Sequence, residues 1–167
     1  LQGSEKLRIL MFKAPNPTAS RSEREAYVKQ WAALTISIFA LLLAVNGMFG
    51  GSNSSKVLNG TIAANNYWAW FQAKNVRATI FETAGHDEKA AKQRADMEEI
   101  SEKARAAEAQ RDLAKQRSPW FSYAGMALQL AIVLSSAAIL AVMMQLLWAS
   151  IVVGGAGLSL FVYAMVI

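Results

Sequence analysis

At 167 residues the chain has the length of one domain, yet 54% of it is apolar and its 17 basic and 12 acidic residues are confined to parts of it. A water-soluble core of that size needs less apolar surface, so the composition argues for a membrane protein. The formal charge of +5 comes from bases interleaved with acids, which argues against a nucleic-acid binder and for contact with anionic lipid. With no cysteine, a disulfide framework, a thiolate metal site and a cysteine nucleophile are all excluded.

In chain order, Leu1–Lys13 mixes charge with Leu7, Ile9, Leu10, Met11 and Phe12, a pattern that suits a membrane surface, a partner or a partly ordered tail. Pro15 and Pro17 then interrupt any helix. Ser22 and Glu25 fit an S-x-x-E capping box, which predicts a helix from about Glu23 that runs into the first apolar stretch. Residues Gln30 to Ser55 carry no charge, and Trp31–Phe49 is long enough to span a bilayer, with Tyr27 and Trp31 suited to its headgroup boundary. The polar residues ahead of this run are not those of a signal peptide, so it reads as a retained anchor. Asn46 is expected to make a packing or interfacial contact. The run Gly50-Gly51-Ser52-Asn53 is expected to end the span.

A second helix is predicted over 54–83, with two apolar stripes. One carries Val57, Gly60, Ala64, Tyr67, Phe71 and Ala78, with Trp68 beside it; the other carries Leu58, Ile62, Ala69, Ala73, Val76 and Ile80. A helix with two buried stripes needs two neighbours. The aromatic group Tyr67, Trp68 and Phe71 and the stripe Leu58, Ile62, Val76 and Ile80 are therefore the candidate partner contacts. If this helix stands off the bilayer its aromatics meet protein; if it lies flat they meet lipid.

Gly85 and His86 mark a turn, and Asp87 can cap a third helix to about Arg117. Its eight acids balance eight bases, and its seam of Ala90, Met97, Ile100, Ala104, Ala107 and Ala114 is spaced like the inner positions of a coiled coil. Two such helices joined by a short turn predict an antiparallel hairpin. Ser118-Pro119 should mark the return to the membrane, with Trp120 and Tyr123 at the interface. The uncharged run from Ser118 to Ile167 would extend roughly 75 Å as one helix, against a bilayer core of about 30 Å, so it must cross twice. Its turn is expected at Gln145–Ser150. Ala127, Ala131 and Ser135 form a small-xxx-small ladder, Gln129 is suited to an interhelical hydrogen bond, and Ser150, Gly154, Gly155 and Ser159 give the last span a surface for packing on the previous one.

No Gly-rich phosphate loop, nucleophile–histidine pair or dinucleotide fingerprint is present. His86 and Glu82 make too few ligands for a metal. Neither enzymatic activity nor a cofactor is expected.

The charged helix entering an apolar span, the segment Asn65-Asn-Tyr-Trp-Ala-Trp-Phe-Gln-Ala-Lys74 and the C-terminal pair of apolar spans together resemble an uncharacterised bacterial family, domain of unknown function four-three-three-seven. The resemblance covers about Arg24 to Ile167, and its most specific piece is Trp70–Lys74. It implies an integral inner-membrane protein and supplies no activity, ligand or catalytic residue. The chain differs from the family's pattern in lacking basic residues at the final turn.

The sequence thus leads to an all-α integral membrane protein with a tail (1–22), a capped helix and first span (23–50), an extramembrane hairpin (51–117) and a two-span membrane hairpin (118–167). Its expected role is structural: a scaffold or accessory subunit that contacts lipid and assembles with itself or a larger membrane complex. The rival is an oligomeric passive channel or transporter component with a path lined by Asn46, Gln129 or Ser135. The extramembrane hairpin is expected on the extracytoplasmic side, because long loops translocate largely regardless of charge.

Overall fold

A computed structural model describes residues 20–167, so the readings of Leu1–Lys13, Pro15 and Pro17 lie outside the described residues. Among these, the chain forms three helices: α1 (Arg21–Thr83), α2 (Asp87–Ala141) and α3 (Met144–Val166). Each is long and apolar enough to cross a membrane. The architecture is all-helical, and its three long apolar helices suggest a multi-pass membrane protein.

Several boundaries differ from those the sequence suggests. The capping box is Ser20 with Glu23, two residues before the expected pair: the Ser20 N–H donates to Glu23 Oε2 at 2.8 Å and the Glu23 N–H donates to Ser20 Oγ at 3.4 Å. Glu25 instead pairs with Lys29 one turn on, at 3.8 Å. Gly50–Asn53 does not end a helix; α1 runs through it. Glycine in a helix costs up to about 1 kcal/mol against alanine, and tertiary contacts made by Asn53 outweigh that here. Pro119 does not break a helix either, and lies inside α2. Its missing N–H leaves the Lys115 carbonyl without its usual intrahelical donor.

The first turn follows the glycine. Gly85 has φ +74°, its N–H donates to the Glu82 carbonyl at 3.1 Å, and the His86 N–H donates to the Phe81 carbonyl at 2.8 Å, which is a Schellman motif. The His86 carbonyl accepts from Lys89 and Ala90, so His86 occupies the N-cap position and Asp87 the first helical one, a step later than expected for the aspartate. The second turn comes at Val142-Met143, ahead of the expected Gln145–Ser150, and Val142 has φ +53°. No polar residue, glycine or proline marks that point, and a β-branched residue is among the least suited to left-handed backbone, so the turn carries no local signal in the sequence.

The chain divides into two compact units. An apolar unit contains the described residues up to Phe49 together with Trp120–Ile167, and a charged unit contains Gly50–Pro119. In the apolar unit, Ala32, Ala138 and Leu147 form one buried cluster, and Phe39, Leu128 and Ala131 another. Under a third of each helix's most apolar window is buried within the chain, which leaves most of that surface for the surroundings. In the charged unit the buried apolar residues are mostly alanines: Ala64 and Ala78 on α1, and Ala90, Ala104 and Ala114 on α2, joined by Met97 and Ile100.

Candidate functional site

In the charged unit, the contacts of α1 with α2 run in opposite sequence order. Asn53 meets Ala114 and Ser118, Trp68 meets Glu108, Lys74 meets Asp96 and Glu82 meets Arg94. Gly60 sets the closest approach: a Cβ there would stand 2.9 Å from Arg111 Cβ and 3.2 Å from Arg111 Cα. Small residues on both helices make that distance possible, in keeping with the alanine-rich seam of α2. Asn53 is 6% exposed, and its amide donates to the Ala114 carbonyl at 2.7 Å and to Ser118 Oγ at 3.0 Å. Ala114 lies one residue before the carbonyl that Pro119 deprives of a donor, so Asn53 supplies hydrogen bonding where the α2 ladder is weakened.

Polar contacts hold the rest of this interface. Trp68 Nε1 donates to Glu108 Oε1 at 3.0 Å, and its ring meets Phe71 edge-on at 5.5 Å. Lys74, mostly buried, donates to Asp96 Oδ2 at 2.6 Å; that hydrogen bond holds the Asp96 carboxyl below its ordinary pKa despite partial desolvation. The Arg111–Asp112 pair at 2.9 Å likewise lowers Asp112 and raises Arg111, and the hydrogen bond to Glu99 raises Lys103. Among the described residues no three His, Asp or Glu side chains cluster to hold a metal.

The seven candidate partner contacts therefore divide. Tyr67, Trp68 and Phe71 lie partly buried on the α1 stripe that meets α2 of the same chain. Leu58, Ile62, Val76 and Ile80 face outward, 49–60% exposed, with Trp70 also exposed at 49%. Only the second stripe is left without a covering helix among the described residues.

In the apolar unit, Asn46 is 6% exposed and its Nδ2 donates to the Phe121 carbonyl at 3.1 Å, while its Oδ1 has no partner among the described residues. Gly125 admits this side chain, since a Cβ there would stand 3.1 Å from Asn46 Nδ2. Ser135 and Ser150 are fully buried and hydrogen-bonded to each other at 2.6 Å, and Ser150 Oγ donates to the Ala131 carbonyl at 2.8 Å. Ala127 meets α3 at Gly157, where an added Cβ would lie 3.1 Å from the Ala127 methyl. Gly154 packs on α1: a Cβ there would fall 2.0 Å from Phe39 Cζ. Gln129 is exposed and makes its expected interhelical hydrogen bond to no helix of this chain, and Gly155, expected to pack the last span on the previous one, is exposed too, with nothing within 4 Å of where its Cβ would stand. The unit's aromatic pairs include Tyr27–Trp31 at 6.2 Å and Trp120 with Tyr123 and Tyr163 at 6.1 and 4.8 Å.

Asn53 and Gly157 are among the contributors that the sequence did not single out. Asn53 read as part of a helix stop, although its seven-residue spacing from Asn46 offered a signal that both face the same way. Gly157 carried no signal beyond being small.

The model of the family described as Domain of unknown function (DUF4337) matches residues 28–89 and 81–167. The chain belongs to this family. The match takes in the Asn65–Lys74 segment and all three helices apart from the first residues of α1. No curated protein and no solved structure matches the chain.

Proposed function

We propose that this DUF4337 protein is a non-enzymatic scaffold or accessory subunit of a bacterial inner-membrane complex. Three spans anchor an extramembrane antiparallel hairpin, and the hairpin recruits either another copy or a different membrane protein. The observation that carries this reading is the outward stripe Leu58, Ile62, Val76 and Ile80 on a helix whose other stripe is already covered by α2. Full burial of an aliphatic side chain contributes about 1.5–3 kcal/mol, so closing the remaining half of four gives roughly 3–6 kcal/mol. That is near the lower bound of about 4 kcal/mol for association, so the stripe favours a reversible contact or one reinforced elsewhere.

The channel reading loses most of its lining, because Asn46 and Ser135 are engaged within the chain and only Gln129 faces outward. The hairpin is assigned to the extracytoplasmic side. Labelling of a His86→Cys variant by an impermeant thiol reagent in intact cells supports that side, and labelling only after the inner membrane is opened refutes it. For the assembly itself, the test is native mass spectrometry after mild detergent extraction. A complex lost in an Ile62→Glu, Ile80→Glu double variant supports the reading; a lone monomer in the unmodified protein overturns it.

A further inference from the structure

The outward face of α2 within the apolar unit carries Ser122, Met126, Gln129, Val133 and Ser136 at three- and four-residue spacing, all exposed. Gln129 is the strongly polar member. It lies nine residues after Trp120 and twelve before the end of α2, or about 14 and 18 Å along the axis, which puts it near the middle of a span anchored by the Trp120–Tyr123–Tyr163 group. Its side chain lacks the length by which lysine and arginine reach headgroups from inside a bilayer. No described residue hydrogen-bonds to its amide, and hydrocarbon supplies neither donor nor acceptor.

On the membrane reading above, we propose that Gln129 is the centre of a homodimer contact in which α2 packs against α2 of a second copy. Copies inserted the same way are related by a two-fold axis along the membrane normal, so the second copy brings its own Gln129 to the same depth. A primary amide offers both N–H donors and a carbonyl acceptor, so two such groups satisfy each other. A different partner would need a lipid-facing donor and acceptor at this same depth; a second copy has them by construction. Met126 and Val133, 57% and 62% exposed, supply the apolar contact on either side of the amide. Ser122 and Ser136, one heptad away in each direction, keep the helices close; the Ser136 hydroxyl is already bonded to the Ile132 carbonyl at 2.9 Å and adds no unmet polar group. This surface is separate from the Leu58–Ile80 stripe, and dimerisation here leaves that stripe open to another protein.

The test exploits the absence of native cysteine. Met126→Cys and Val133→Cys variants of the full chain are oxidised in native membranes and read on non-reducing gels. Both should give a disulfide-linked dimer, and added Gln129→Leu should reduce the dimerisation constant roughly threefold to twentyfold, the range of one or two interhelical hydrogen bonds in a bilayer. Gln129→Asn, which keeps the amide, should retain most of the dimer and guards against a loss caused by misfolding. A carbonate-resistant chain that stays monomeric, or a dimer indifferent to Gln129→Leu, overturns this proposal while leaving the membrane reading intact. Extraction of the unmodified chain by carbonate overturns the membrane reading and this proposal together.

Discussion

The apolar and charged units use the same device in different ways. Each contains an asparagine of α1 that is buried and donates its amide to a main-chain carbonyl of α2: Asn46 to Phe121, and Asn53 to Ala114. In the charged unit the amide donates twice and is surrounded by further polar contacts, Trp68 with Glu108 and Lys74 with Asp96. In the apolar unit Asn46 donates once and keeps an unmet Oδ1, while the buried Ser135–Ser150 pair closes on the Ala131 carbonyl of α2. The comparison teaches that close helix approach is obtained in both places by small residues, but the side-chain chemistry that accompanies it follows the surroundings. Where charge is affordable, pairs of opposite sign and a ring N–H do the joining; where it is not, hydroxyls and amides turn to main-chain carbonyls.

The largest effect should come from filling the closest approach. Gly60→Val places side-chain atoms against the Arg111 backbone, which cannot yield without separating the helices, so the charged unit should lose about 1–3 kcal/mol. Hydrogen exchange read peptide by peptide should show faster exchange in 54–117 and little change in 144–166. Gly154→Val is the matching test in the apolar unit. Its obstacle is the Phe39 ring, so Phe39→Leu in the same chain should recover much of the loss, as a thermal melt in detergent will report.

The asparagines come next, and they break or sharpen the comparison directly. Asn53→Ala removes two hydrogen bonds and exposes the weakened ladder around Pro119, for a loss of about 1–2 kcal/mol. Asn46→Ala removes one bond and, with it, a buried acceptor that has no partner, so its cost should be about half as large. Equal losses at the two positions would mean that the unmet Oδ1 carries no penalty.

Acid should act on the charged unit through Asp96. Its folded carboxyl is held below the ordinary value of 3.8 chiefly by the Lys74 hydrogen bond, so it contributes stability that is fully present above that value and is lost as pH falls through the lowered one. The unmodified chain should lose stability below about pH 4, and Asp96→Asn should flatten that fall, both followed by circular dichroism. An unchanged acid limb would assign that limb to other carboxylates, Asp112 first among them. The smallest effect has the opposite sign. Val142→Gly relieves a left-handed valine and should raise the melting point of the apolar unit by the equivalent of a few tenths to about 1 kcal/mol.

Much of the stripe structure was legible in the sequence. Val57, Gly60, Ala64, Tyr67, Phe71 and Ala78 repeat at helical spacing, and so do Leu58, Ile62, Val76 and Ile80; the structure covers the first set and exposes the second. The α2 seam was equally readable, with Ala90, Met97, Ile100, Ala104 and Ala114 all buried. Breaks were read less well. Gly50–Asn53 and Ser118-Pro119 carry strong local stop signals, and both are overridden. Val142-Met143 carries none, and the chain turns there. Among the candidate contact residues, Gln129 and Gly155 could not be placed on a face without knowing where the neighbouring helices lie.

The sequence by itself determined two apolar runs, the second long enough to cross twice, their helical periodicity, the Gly85 turn and the concentration of charge in one region, because these follow from local preference and from the cost of charge in hydrocarbon. Tertiary structure decided which helix covers which stripe, whether a glycine or proline ends a helix, and that Ser135 is spent on Ser150 while Gln129 is left facing outward. Such choices depend on residues as far apart as Asn53 and Ala114, whose contact supplies the free energy that overrides a local stop; no window of the sequence contains both.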